Sequence, residues 1–416
     1  MKKGRIAALA CALCASGAKA DTVNVEVYGT LLPFLDVPKT TGATTLPVTN
    51  GPNQVPSSAT GYTGVNQEAR GRLTSGTSNL GFRGNVAIGG DWKAIFQIEA
   101  AVPLDGDQGP QGLLATRNSH VGISGPYGTM FFGIWDTPYK WTTIIVAPVR
   151  GLNPFDYDNV LENPGFNVPG TTTQSGRVAA KPDAAFSRRQ GNSIQYWSPN
   201  IFGFTARAAY SLNEGKTQVA GGSWISPDVI SASVSYEQPN LFLVRYAYEQ
   251  HDDYFGMAQV GGSAGASAAN HSSKDMAHKL MAGLILPATK IYGVIERLIY
   301  DTDDTAPAAV KHYRRDAWFL EGIQRFGDAG IWVSFGQGFD GECSVVNGTA
   351  CSTHALGSIM YSVGATYEFG KRTTLYASFF GVVNDDAASY GIFPSVGTTA
   401  AGADTRSFGI GILHTF

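Results

Sequence analysis

From Val25 onward, apolar side chains alternate with small or polar ones in segments of about ten residues, repeated along the chain. In Phe204-Thr-Ala-Arg-Ala-Ala-Tyr210, residues Phe204, Ala206, Ala208 and Tyr210 share one face, while Thr205, Arg207 and Ala209 share the other. A period of two means strand. About sixteen such strands can be laid out, an even count suited to a closed membrane barrel. They start near residues 23, 72, 92, 114, 128, 189, 202, 228, 241, 275, 289, 315, 329, 358, 372 and 404. Their connections alternate in length. Short turns such as Gly125-Pro-Tyr-Gly128 and Gln238-Pro-Asn240 fall at every second junction. Between them come long loops: 36–71, 103–113, 136–188, 213–227, 251–275, 301–314, 340–357 and 384–404. Short turns on one rim and long loops on the other mark an all-β, transmembrane antiparallel barrel of the outer-membrane type.

Composition agrees. In lipid, every backbone N–H and C=O must be paired within the protein, so only helices and closed barrels span. A barrel needs apolar residues on its outer face only, and mean hydropathy here is −0.06. After residue 20 no run of about 18 apolar residues exists, which excludes helical spans. Low charge with abundant Phe, Tyr and Trp excludes disorder. A formal net charge of −3 without a basic run argues against nucleic acid as a partner. Aromatic residues placed at strand ends, including Tyr196, Trp197, Tyr210, Tyr246, Tyr292, Tyr300, Trp332, Tyr367 and Tyr376, fit interfacial girdles.

Residues 1–20 read as a cleaved signal peptide. Lys2, Lys3 and Arg5 precede an apolar stretch, and Ala18-Lys19-Ala20 is a small-x-small cleavage site. Removing them takes four cations from the 30 Lys and Arg and leaves 26 against 33 acids, formally −7. It also leaves two cysteines, Cys343 and Cys351. In an exported chain these suggest a disulfide closing a small loop, with a zinc pair as the rival reading. In the last strand, Phe408, Ile410, Ile412, His414 and Phe416 share one parity, and Phe416 reads as a C-terminal assembly signal.

Parity also sorts the wall. Leu80 and Phe82 point outward, so Asn79, Arg83 and Asn85 face the interior. By the same test Glu26, Tyr28, Gln97, Glu99, Arg189, Arg207 and Arg245 face inward. Arg117 is ambiguous, because it shares its parity with Val121 and Ile123.

The segments Val27-Tyr-Gly29, Ser78-Asn-Leu-Gly-Phe-Arg-Gly84, Trp92-Lys-Ala-Ile-Phe-Gln-Ile-Glu99, Thr116-Arg-Asn-Ser-His-Val-Gly-Ile-Ser-Gly125, Asn192-Ser-Ile-Gln-Tyr-Trp-Ser-Pro-Asn200 and Leu413-His-Thr-Phe416 occur in an order that resembles the general Gram-negative porins. These are trimeric sixteen-stranded diffusion channels of the outer membrane. The resemblance implies a homotrimer in outer-membrane lipid that passes ions and small hydrophilic solutes, with no cofactor and no metal. It gives 136–188 the role of a third external loop folded inward to narrow the pore. Its acids are Asp156, Asp158 and Glu162, and its cations Lys140 and Arg150. In this family such acids oppose a ladder of arginines, among which Arg117 matches by its Thr-Arg context. Two positions depart from the pattern: Asn79 and Ile134 stand where arginines are usual. A thinner ladder and a net negative chain imply a pore mildly cation-preferring or nearly unselective.

An enzyme is the first alternative, but the seven His are scattered and no G-x-S-x-G or H-E-x-x-H occurs. A substrate-selective channel for sugars or small organic acids is the closer one, with Phe155, Tyr157 and Phe166 as an aromatic slide.

Overall fold

The computed structural model describes residues 23–44, 66–106, 114–150, 153–162, 184–212, 214, 216–218, 224–254, 256–257, 272–303, 310–345, 352–392 and 399–416. The expected signal peptide, Phe166 and Cys351 lie outside them.

Sixteen antiparallel strands make the wall. They are β1 (Asn24–Leu31), β2 (Asn79–Gly89), β3 (Trp92–Ala101), β4 (Ser119–Gly125), β5 (Gly128–Asp136), β6 (Arg189–Trp197), β7 (Phe204–Ser211) and β8 (Asp228–Gln238). Then come β9 (Phe242–Asp252), β10 (Ser273–Ile285), β11 (Thr289–Thr302), β12 (Val310–Phe326), β13 (Ala329–Gly338), β14 (Ser358–Phe369), β15 (Thr373–Asn384) and β16 (Asp404–Thr415). Each strand pairs with its sequence neighbours, from Glu26↔Arg83 across β1–β2 to Ala377↔Ile410 across β15–β16. The ring closes where β16 pairs with β1 at Thr30↔Thr415 and Leu31↔His414. Three short pieces, Phe34–Asp36, Lys39–Thr41 and Arg72–Thr74, extend the seam toward the long-loop rim. Closure leaves no unpaired edge, the condition for a sheet to stand in lipid. No described helix is long and apolar enough to cross a membrane.

Most strands begin within a few residues of where alternation puts them. The largest shift is at β2, expected near 72 and found at Asn79, with the short piece Arg72–Thr74 standing apart before it; β4, expected near 114, begins at Ser119. Ala115 adopts a left-handed φ of 65°, and Arg117 N–H donates to the Glu99 carbonyl, so a bend precedes the ladder. Several short turns close at left-handed residues, such as Asn240 (φ 58°) and Gly327 (φ 64°).

The outer face is apolar as parity requires: Val25, Val27, Phe82, Phe204, Tyr210 and Phe408 are exposed. The inner face divides in two. On β1–β6 it carries ionic and amide groups. On β9–β15 apolar groups alternate with buried ions such as Lys279, Glu296 and Arg315, and Tyr292, Val294, Phe319, Trp332 and Tyr376 are buried there. Described parts of 136–188 account for this, because Phe155, Tyr157, Val160 and Leu161 join the same cluster. Four expected girdle aromatics, Tyr292, Tyr300, Trp332 and Tyr376, are therefore buried on the inward parity. Phe155 stands 5.2 Å from the Trp332 ring, and Tyr300 donates to the Ala184 carbonyl at 2.6 Å. Tyr196, Tyr210, Tyr246 and Tyr367 do lie exposed on the outer face.

Candidate functional site

The ionic half of the interior begins at the β1–β2 ladder. Glu26 and Arg83 face each other in register and form a two-pronged pair (2.8 and 3.0 Å) in which both side chains stay about half exposed. The Arg83 guanidinium also lies 4.8 Å over the Tyr28 ring. Tyr28 Oη donates to Glu99 Oε2 at 3.0 Å, and Arg117 Nε donates to Glu99 Oε1 at 2.7 Å. The bend before β4 settles the parity of Arg117: it precedes the strand, and its side chain turns to the inward carboxylate of β3. Among the described residues, Asn79 donates only to the Thr77 carbonyl (3.0 Å).

A second cluster follows on β4–β6. Arg189 Nε donates to Asn118 Oδ1 at 2.6 Å, and its guanidinium stands 3.5 Å from Asp136. Lys140 Nζ reaches the same carboxylate at 3.2 Å. Gln97 donates to the Asn118 carbonyl at 2.9 Å. Arg117, the expected ladder arginine, and Arg189, expected to face inward, are thus each paired with a carboxylate of the wall itself.

The 136–188 segment leaves β5 through a short helix, α1 (Pro138–Thr143). Thr137 caps it, its hydroxyl accepting from the Lys140 N–H, and Pro138 supplies a preset first turn. Tyr139 Oη donates to Glu296 Oε1 on β11 at 2.6 Å. The Glu162 carboxylate is paired with Lys279 of β10 and accepts from Thr143 Oγ1 at 2.8 Å. The Glu162 backbone N–H donates to Glu296 (2.8 Å), while Arg315 of β12 donates to the Val160 carbonyl (2.7 Å). Asn153 accepts from Tyr376 of β15 at 3.2 Å.

All three loop acids, Asp156, Asp158 and Glu162, are buried. Burial, then the neighbouring Asp158 charge, raises the Asp156 carboxyl far above the ordinary carboxylate range. Burial, then Glu162, pushes Asp158 up to about 7, with Lys140 pulling the other way. Lys140 is itself lowered by burial, against the pull of Asp136. Arg150 is exposed.

Arg207 and Arg245, on neighbouring parts of β7 and β9, meet α1 instead of a carboxylate. The Arg207 guanidinium carbon lies 3.1 Å from the centre of the Trp141 ring and 3.9 Å from that of Trp197. That of Arg245 lies 4.4 Å from Trp141, and its Nη1 donates to the Thr142 carbonyl at 3.1 Å.

Sequence reasoning did not single out Lys279, Glu296, Arg315 or Asn118. Parity would have turned the first three inward. On β11, however, the inward positions Tyr292, Val294 and Leu298 are apolar too, so alternation is blurred where a second layer covers the wall. Cys343 is buried, on the short strand Glu342–Val345 that pairs with β12. Phe416 exchanges backbone hydrogen bonds with Gly29 at 3.2 Å on β1.

Comparison with known proteins places this geometry. A family model described as Gram-negative porin matches residues 7–388. Outer membrane porin protein 32 of Delftia acidovorans is 24% identical over 367 residues, covering 85% of this chain and 90% of that protein. Major outer membrane protein P.IB of Neisseria meningitidis is 26% identical over 393 residues, 91% of this chain and 92% of that protein. Among solved structures, an anion-selective porin from Comamonas acidovorans superposes with a TM-score of 0.66 at 20% identity, over 95% of this chain and 100% of that one.

Proposed function

Because the chain belongs to the Gram-negative porin family and its sheet closes into a barrel, it is an outer-membrane diffusion channel, and we propose that 136–188 forms its constriction. The observation that carries this reading is the seating of Tyr139, Val160 and Glu162 on inward-parity groups of three consecutive strands, Lys279, Glu296 and Arg315. A segment fixed there takes up cross-section inside the ring, and the remaining passage runs along the ionic β1–β6 wall.

Along that wall, water is held by Glu26, Arg83, Gln97 and the groups around Arg117 and Arg189. Ions and small hydrophilic solutes exchange part of their hydration for these groups, whereas apolar solutes would have to displace ordered water. The arginines of this wall face carboxylates of the same wall, so their fields largely cancel at a distance. Ion preference is therefore weak. The selectivity in the name of the Comamonas protein does not carry over at 20% identity.

The finer parts of the reading are a homotrimer, a cleaved segment 1–20, and a Cys343–Cys351 disulfide pinning the seventh external loop. Mass spectrometry without reductant should find the two cysteine peptides linked. Purified protein in a planar bilayer should give ohmic steps with a small reversal potential in a salt gradient. Absence of steps would refute the channel reading, and a firm anion preference would refute weak selectivity.

A further inference from the structure

We propose that Arg207, Arg245 and Ser233 form a binding site for the carboxylate of a small organic acid on the inner face of β7–β9. The proposal rests on the chain being a diffusion channel and adds a solute class to that reading.

Charge balance singles the place out. Arg83, Arg117, Arg189 and Arg315 each stand in an ion pair. Arg207 and Arg245 form none among the described residues. Both have inward parity, since Phe204, Tyr210, Val244 and Tyr246 are exposed on the other face. Both also touch the same indole, Trp141, so two like charges are held close together. Glu237 acts on Arg245 only through space. Repulsion of this kind in a water-poor site is relieved by an anion.

The hydrogen bonds point the same way. Arg207 Nη1, Arg245 Nε and the Ser233 hydroxyl are buried without a hydrogen-bond partner. Ser233 stands directly across from Arg207 in the β7–β8 ladder, and Arg245 lies across from Ser235 in the β8–β9 ladder. Three groups able to donate, on three consecutive strands within two residues of register, lack an acceptor. A buried donor left unmet costs about 1–3 kcal/mol, so such a set implies a missing oxyanion. The indoles of Trp141 and Trp197 cover the flat faces of Arg207, which leaves in-plane N–H edges. Those edges match the planar, two-oxygen geometry of a carboxylate. Arg207 is the least buried of the three, its side chain only partly covered.

The test uses malonate, its neutral analogue malonamide, and inorganic phosphate on single channels in KCl. Malonate should reduce the current saturably while malonamide does not. R207Q and R245Q should each raise the half-blocking malonate concentration about tenfold, read as fractional block of each variant's own KCl current. Equal block by malonamide, or unchanged block in the double variant, would overturn the site. Block by phosphate but not malonate would overturn the carboxylate assignment. Equilibrium dialysis of labelled malonate against the folded wild-type protein in detergent reads binding without a channel. Binding there with silent bilayers would fault the diffusion reading alone. No binding with open channels would fault this site alone.

Discussion

The ring of Phe416 lies over the bare Cα of Gly29, so that a Cβ added at Gly29 would collide with three ring carbons. The two residues also exchange both backbone hydrogen bonds at 3.2 Å, beside the β16–β1 ladder that closes the barrel. Closure thus depends on a glycine on one strand and an aromatic ring on the other. F416A should lower the folded fraction on refolding into vesicles, by on the order of 1 kcal/mol of lost packing. G29V should do the same by pushing the ring away. Heat-dependent gel migration measures this, and wild-type folded fractions in both variants would refute the role of the pair.

Lys279 and Glu162 form an ion pair with both side chains fully buried. Removing one partner strands the other charge, which typically costs about 3–5 kcal/mol. The barrel's own ladders are untouched, so the cost falls on the seating of 136–162. K279M should open that segment to protease and raise single-channel conductance. A protected loop with unchanged conductance would show that the pair does not hold it.

Glu99 carries both Arg117 and Tyr28. E99Q keeps the shape of the side chain and frees the Arg117 charge. The reversal potential in a KCl gradient should then move toward anions, while R83Q should move it toward cations by leaving Glu26 unpaired. The shifts should shrink as salt rises, because the Debye length falls to about 3 Å at 1 M. An unmoved potential in both variants would remove this wall from the ion path.

Burial, then Glu162, pushes the Asp158 carboxyl up to about 7 by disfavouring its charged form. An acid whose folded value is raised binds more protons folded than unfolded. Stability is therefore highest below the ordinary value of 3.8 and declines as pH climbs to about 7. Loop 136–162 should be more protease-sensitive at pH 8 than at pH 5, and D158N should flatten that difference. Equal sensitivity at the two pH values in the wild type would contradict it.

Much of the barrel is legible in the chain because its rules are local. A period of two, a turn every second junction and apolar outward positions set strand, rim and face, and they put Glu26, Arg83, Glu99, Arg207 and Arg245 on the inner side. Each follows from backbone geometry and from the need to pair every peptide group in lipid. Tertiary structure alone decided who meets whom. The partner of Arg117 is a carboxylate 18 residues away, that of Lys279 one 117 residues away, and Tyr139 finds Glu296 across 157 residues. Alternation carries no information about such distances. Placement at strand ends misassigned Tyr292, Tyr300, Trp332 and Tyr376 to the girdles, because a wall covered by another segment carries aromatic groups on its inner face too.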